Sequence, residues 1–158
     1  MTKFTLRPIL PADADAVAEL IRTAFAAQSV VTDPLPSALG VSAADVAEHL
    51  RSGGGAVVEA GGAVVGSALW VEQDGGLYLG RLAVAPCSRG HGIARALVAA
   101  AEAAARARAL PRVHLSTRLV LMDNRRLFAA CGFVETTREA HPGHAEATFV
   151  NMEKRLAQ

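Results

Sequence analysis

Two glycine-pair turns restrict the fold more than any other feature of this chain. Gly61-Gly62 and Asp74-Gly75-Gly76 separate three apolar segments, Ala56–Glu59, Ala63–Val71 and Leu77–Val84. Glycine and Asp-Gly supply the positive φ angles that tight hairpins need. The joints are too short to hold helices, so the three segments are expected to form an antiparallel meander. After Val84 the pattern becomes helical. Ile93, Leu97, Val98, Ala101 and Ala105 recur at helical spacing over Gly92–Ala109, and Pro111 ends the run. Val113–Thr117 reads as a new strand, and a strand–helix–strand crossover places it parallel to Leu77–Val84.

The flanks extend this pattern. Phe4–Ile9 reads as a first strand, ended by Pro8 and Pro11. Asp13 and Asp15 suit a helix N-terminus, and Val17, Leu20, Ile21, Ala24 and Phe25 give that helix one buried face. Val31–Leu39, with two prolines, reads as an irregular loop. Ser42 and Asp45 form a capping-box pattern, with Val41 and Val46 as its staple, for a short helix that stops at Gly53-Gly54-Gly55. Asn124–Cys131 reads as a short helix ended by Gly132, followed by strands over Phe133–Arg138 and Thr148–Lys154. The length of 158 residues suits a single domain over 1–158, and a composition half apolar can fill its core. A net charge of +1 argues against a partner that is nucleic acid. No uncharged apolar run reaches the roughly 20 residues of a membrane span, and no leader pattern is visible, so a cytoplasmic location is expected. Cys87 and Cys131 are too few for a disulfide framework.

The stretch from Leu82 to Ala94 carries the chemistry. A strand ends at Val84, Pro86 turns the chain, and a helix begins near Gly92. A helix N-terminus exposes unpaired N–H groups and a partial positive charge, which attract anions. Gly90 and Gly92 carry no side chain to block a phosphate, Arg89 adds a fork of donors, and Ala94 keeps the first turn slim. A Walker loop would need Lys-Ser or Lys-Thr where Ile93-Ala94 stands. A dinucleotide fingerprint would want a glycine at Arg95 and a parallel unit around it.

With Arg89, Gly90, Gly92 and Ala94 in this order, the chain resembles the GNAT family of N-acetyltransferases. The element order and the segment Asn124 to Gly132-Phe133 resemble that family too. The resemblance implies an α/β (α+β) GNAT fold: a mixed, mostly antiparallel twisted sheet of six to seven strands, about four flanking helices, and a splay between the fourth and fifth strands. It implies acetyl-CoA as cosubstrate and a primary amine of a small molecule or peptide as acceptor, joined by direct attack in a ternary complex. The pantetheine arm would pair with Leu82, Ala83 and Val84. The pyrophosphate would rest on Arg89, Gly90, His91, Gly92, Ile93 and Ala94. Asn124 and Phe128 would face the arm, and an N–H near Val84 would stabilise the oxyanion. Family members often dimerise, which leaves a homodimer open.

One position departs from the family. The tyrosine that often protonates the leaving thiolate stands five residues before the Phe of Gly-Phe, and here it is Phe128. Three readings follow: the thiolate leaves unprotonated, another donor such as Tyr78, Cys131 or water replaces it, or the protein binds acyl-CoA as a sensor without turnover. A nucleotide-binding domain of another class is a further alternative. Tyr78, the only tyrosine, lies on the strand where the family often carries a basic Glu, so it is a candidate catalytic group. His141 and His144 lie in the loop before the last strand, where a neutral imidazole can take a proton from the amine. Two histidines without further ligands at useful spacing do not make a metal site. Val31–Leu39, with Asp33, and Arg138–Glu146 are the segments expected to meet the acceptor.

Overall fold

The computed structural model describes residues 3–157. Its elements are β1 (Thr5–Pro8), α1 (Ala14–Ala26), α2 (Ala43–His49), β2 (Gly54–Ala60), β3 (Ala63–Gln73), β4 (Gly76–Val84), α3 (Ile93–Ala107), β5 (Arg112–Arg118), α4 (Met122–Ala130), β6 (Val134–Glu139) and β7 (Phe149–Arg155). The strands form one seven-stranded sheet in the order β1-β2-β3-β4-β5-β7-β6. Among the described residues only β4 and β5 pair in parallel. This is the mixed, mostly antiparallel sheet with four helices that the sequence led us to expect.

Alternation along the strands sends side chains to two cores. Ala56, Val58, Ala68, Trp70, Leu77 and Leu79 pack with Ile93, Leu97, Val98, Ala101 and Ala105 of α3. Val57, Leu69 and Ala83 pack on the other face with Val17, Ile21 and Ala24 of α1 and Val46 of α2. Successive strand residues point to opposite faces, so both layers come from the same three strands. Helix α2 opens with the expected capping box: Ser42 Oγ accepts from Asp45 N (3.1 Å) and Asp45 Oδ2 accepts from Ser42 N (3.0 Å).

Two boundaries differ from expectation. Gly54 and Gly55 are the first residues of β2 rather than a helix stop. A Cβ on Gly55 would lie 2.4 Å from the carbonyl oxygen of Ala68, so glycine permits close backbone approach there. Helix α4 begins at Met122, which makes Asn124 its third residue and not its opening one.

Two irregularities shape the sheet's centre. Between the pairs Ser67↔Ala83 and Leu69↔Gly80, β4 carries an extra residue. Arg81 in this bulge has φ +51°, a left-handed conformation that most side chains avoid. Beside it, β4 and β5 are in register only at Leu77↔Val113 and Tyr78↔His114. Past Tyr78 the two strands part, which is the expected splay.

Arg7 on β1 forks onto Asp13 at the start of α1, with both contacts at 2.8 Å, and the N–H of Leu10 adds a bond to Asp13 Oδ2 at 2.7 Å. The Arg7 guanidinium, and to a lesser degree the Leu10 N–H, hold the Asp13 carboxyl below the usual carboxylate range against the opposing effect of burial. A depressed carboxylate pKa stabilises the fold above the unfolded value, and the gain fades as pH falls through the folded one. Asp13→Asn is therefore expected to lower the melting temperature at pH 7, with the gap to the parent closing in melts below about pH 4.

Candidate active site

The splay opens a groove across the molecule. A cavity of about 420 Å3 is walled by Tyr78, Gly80, Arg81 and Leu82 of β4, Leu115–Arg118 of β5, Phe25 of α1 and Gln28 just after it, Asn124 and Phe128 of α4, and His141 and Phe149. A second cavity, about 480 Å3, shares Leu82, Leu121 and Asn124 with the first and adds Ala83, Val84, Arg89, Ala94 and Leu127. A third continues past Val84, Arg89 and Ala94 to Gly90, Gly92 and Ile93. The groove therefore links the glycine turn to Tyr78 and His141.

The turn end is built by backbone geometry. Gly90 has φ +81° and Gly92 has φ +78°, and no atom lies within 4 Å of a Cβ built on either. The glycines thus serve the left-handed conformation as well as the open approach read from the sequence. Gly92 is the N-cap of α3 and provides no side-chain cap, so the N–H groups of the first turn point out unpartnered by the helix. The position of this turn is fixed from below. Gly66 is in register with Val84, and a Cβ on Gly66 would lie 2.6 Å from Ile93 Cγ2. The strand and the helix start meet where only glycine fits.

The other residues singled out in the sequence distribute as follows. Arg89 lines the groove, and its Nη2 donates to the carbonyl of Ala24 at the end of α1 (3.3 Å). His91 is exposed and outside the groove walls. Ala83 is buried in the α1-side core and pairs with Ser67, leaving Leu82 and Val84 half-exposed along the gap. Phe128 is buried with its ring edge-on to Phe133, the centroids 6.0 Å apart, and forms part of the cavity floor. Cys131 packs against the core beyond the groove walls, so it is not placed to protonate a leaving group there. His49 of α2 ties Gly54 and Trp70 carbonyls together at 3.1 and 3.0 Å.

Tyr78 is half-buried in the wall, its ring edge-on to His114 at 5.3 Å. His141 faces the same cavity, with its ring against Phe149 at 4.9 Å. Its backbone N–H donates to Thr148 Oγ1 (2.9 Å), and Nδ1 is also bonded to that hydroxyl. Burial first, then the charges of Arg118 and His144, push the His141 pKa below its ordinary value. His144 lies outside the cavity wall; its Nε2 is 3.6 Å from Asp33 Oδ2 and its N–H donates to the His141 carbonyl (3.0 Å). Arg118 donates to the carbonyl of Pro34. The two segments expected to meet the acceptor, Val31–Leu39 and Arg138–Glu146, are thus drawn together over the end of β5. Arg81, Ser116, Arg118, Phe25 and Gln28 were not anticipated as cavity residues. An arginine closing a strand that ends in the splay was the available signal for Arg118.

Among the described residues no cluster of His, Cys, Asp or Glu could hold a metal ion, and no helix is long and apolar enough to cross a membrane. The profile of the acetyltransferase (GNAT) family matches residues 17–133. No curated protein matches the chain in sequence. Solved structures share its fold. The ribosomal-protein-S18-alanine N-acetyltransferase of Escherichia coli is 17% identical, with TM-score 0.77 over 99% of this chain and 96% of that one. Ard1 of Thermoplasma volcanium is 19% identical, with TM-score 0.79 over 98% and 99%. The protein yncA of Salmonella typhimurium, solved with its cofactor acetyl-CoA, is 20% identical, with TM-score 0.74 over 99% and 95%.

Proposed function

Because the chain belongs to the acetyltransferase (GNAT) family, we propose that it moves an acetyl group from acetyl-CoA to a primary amine by direct attack within one ternary complex. The observation that carries this reading is the continuous groove from the uncapped turn at Gly90–Ala94, past Leu82 and Val84, to Tyr78 and His141. The turn's free N–H groups suit a pyrophosphate. The gap beside Leu82 and Val84 suits the extended pantetheine arm, with Asn124 facing it and Phe128 beneath. The thioester carbonyl then lies by the β4 bulge, where backbone N–H groups near Val84 can receive the developing oxyanion.

The amine must be neutral to attack. His141 takes its proton: with Nδ1–H donating to Thr148 Oγ1, the Nε2 lone pair is free. The amine nitrogen bonds to the carbonyl carbon, the C–S bond breaks, sulfur leaves as thiolate, and the second proton shed by the nitrogen passes through solvent to that thiolate. A thiol with a reference pKa near 8.5 is an adequate leaving group without a protein acid, in keeping with Phe128. His144 holds the loop that carries His141. The Tyr78 hydroxyl orients the acceptor rather than protonating the sulfur. Cytoplasmic placement and a homodimer remain part of this proposal.

The test is thiol release from acetyl-CoA with a broad panel of amines. Release above background supports acyl transfer. Tight acetyl-CoA binding with release at background for every amine would favour the sensor reading. Tyr78→Phe is expected to raise the acceptor KM and lower kcat by no more than about tenfold, whereas an acid acting in the transition state would cost about 10²-fold or more.

A further inference from the structure

The central cavity has an unusual charge balance. Its wall contains the guanidinium-bearing residues Arg81 and Arg118 and no Asp or Glu. Arg118 is half-buried, and burial lowers its pKa. Among the described residues its guanidinium makes one hydrogen bond, to a neutral carbonyl, that of Pro34. Arg81 is held in the β4 bulge and donates to Ser37 Oγ at 3.1 Å. Asp33 and Asp45 act on Arg118 and Arg81 through space, from outside this cavity's wall. Taking a guanidinium partly out of water is costly unless an anion meets it. The fold places both groups at the Tyr78 end of the groove, away from the glycine turn.

Resting on the reading of this groove as an acyl-CoA and amine site, we propose that the acceptor is a small amine bearing its own anionic group, an amino acid or its phosphonate counterpart. Arg118 and Arg81 grip the carboxylate. The phosphates of acyl-CoA, bound at the glycine turn, leave these two residues unoccupied. A guanidinium matches a carboxylate with paired hydrogen bonds, which fixes orientation as well as charge. The same positive field repels an uncompensated ammonium. It therefore selects against polyamines and lysine side chains, and it lowers the cost of presenting the acceptor's nitrogen in its neutral form. Arg118 and Arg81 are specificity-determining residues in this scheme.

The experiment compares glycine, alanine and glutamate with their amides, aminomethylphosphonate, spermidine and a short lysine peptide as acceptors in the thiol-release assay. Free acids and the phosphonate should exceed the amides, spermidine and the peptide by tenfold or more in kcat/KM. Arg118→Gln should raise the KM of the best acid at least tenfold, leave the acetyl-CoA KM within twofold, and erase the preference for acid over amide. Arg118→Lys should restore part of that preference. Amides or spermidine matching the acids in the parent protein would overturn the proposal while leaving acyl transfer intact. If no amine is turned over, the acyl-transfer reading fails by itself. The anion site is then read by calorimetric titration of each acid and amide into CoA-saturated protein. Acid binding that is lost in Arg118→Gln upholds it, and absent or charge-independent binding overturns it.

Discussion

Gly92→Val should raise the Kd and KM for acetyl-CoA by about 10²-fold, or roughly 2.7 kcal/mol. Two effects add. A β-branched residue at φ +78° strains a left-handed position. Its side chain also fills the open space above the first turn of α3, where the proposed site puts the pyrophosphate on unpartnered N–H groups. Gly61→Val is the matched control. Gly61 also has φ +58° and open space around it, but it lies in the β2–β3 hairpin. That variant should lose stability, on the order of 1–2 kcal/mol, and keep the parent's acetyl-CoA affinity. Equal effects of the two variants on acetyl-CoA binding would mean that the turn at Gly92 does not hold the cofactor.

His141→Gln should lower kcat by about 10²–10³-fold with little change in the acetyl-CoA KM. Glutamine keeps a polar group near Thr148 but cannot take a proton. The parent's pH profile carries the same information. Burial and the charges of Arg118 and His144 favour the neutral imidazole, the form a base at this position would need at neutral pH. At saturating amine, kcat should stay level as pH falls to the ordinary histidine value near 6.5 and drop only below it. Arg118→Gln removes one of the charges that hold the ring neutral, so the limb should move to higher pH. A profile unchanged in His141→Gln would assign proton removal to another group or to water.

The elements most visible in the sequence were those fixed by local rules. Gly61-Gly62 and Asp74-Gly75-Gly76 mark the meander because few other residues tolerate such turns. The spacing of Ile93, Leu97, Val98, Ala101 and Ala105 gives the buried face of α3. The Ser42–Asp45 box marks the start of α2. The features hidden from a linear reading depend on the neighbouring chain. Arg81 carries no mark of a bulge, because its positive φ is imposed by the register of β3 against β4. Gly54 and Gly55 look like a helix stop but open β2, and Gly55 admits β3's backbone at short range. The start of helix α4 at Met122 was hidden because its N-cap, Leu121, offers no capping side chain to announce it. The glycine turn at one end of the groove was readable as a motif. The charged end was not, since Arg81 and Arg118 lie far apart in sequence and come to one cavity wall only through the fold.

The short ladder between β4 and β5 has a consequence for the ligand-free molecule. With two pairs in register, β1–β4 and β5–β7 are joined by a short β4–β5 ladder, and α3 packs against both sides of it. A pantetheine arm lying in the gap would act as a tie between them and occupy backbone amides that otherwise exchange freely with solvent. Saturation would then register as cohesion of the whole fold, by about 2.7 kcal/mol at a hundredfold excess over Kd. On this view the substrate is a temporary strand, and each turnover undoes and remakes part of the sheet.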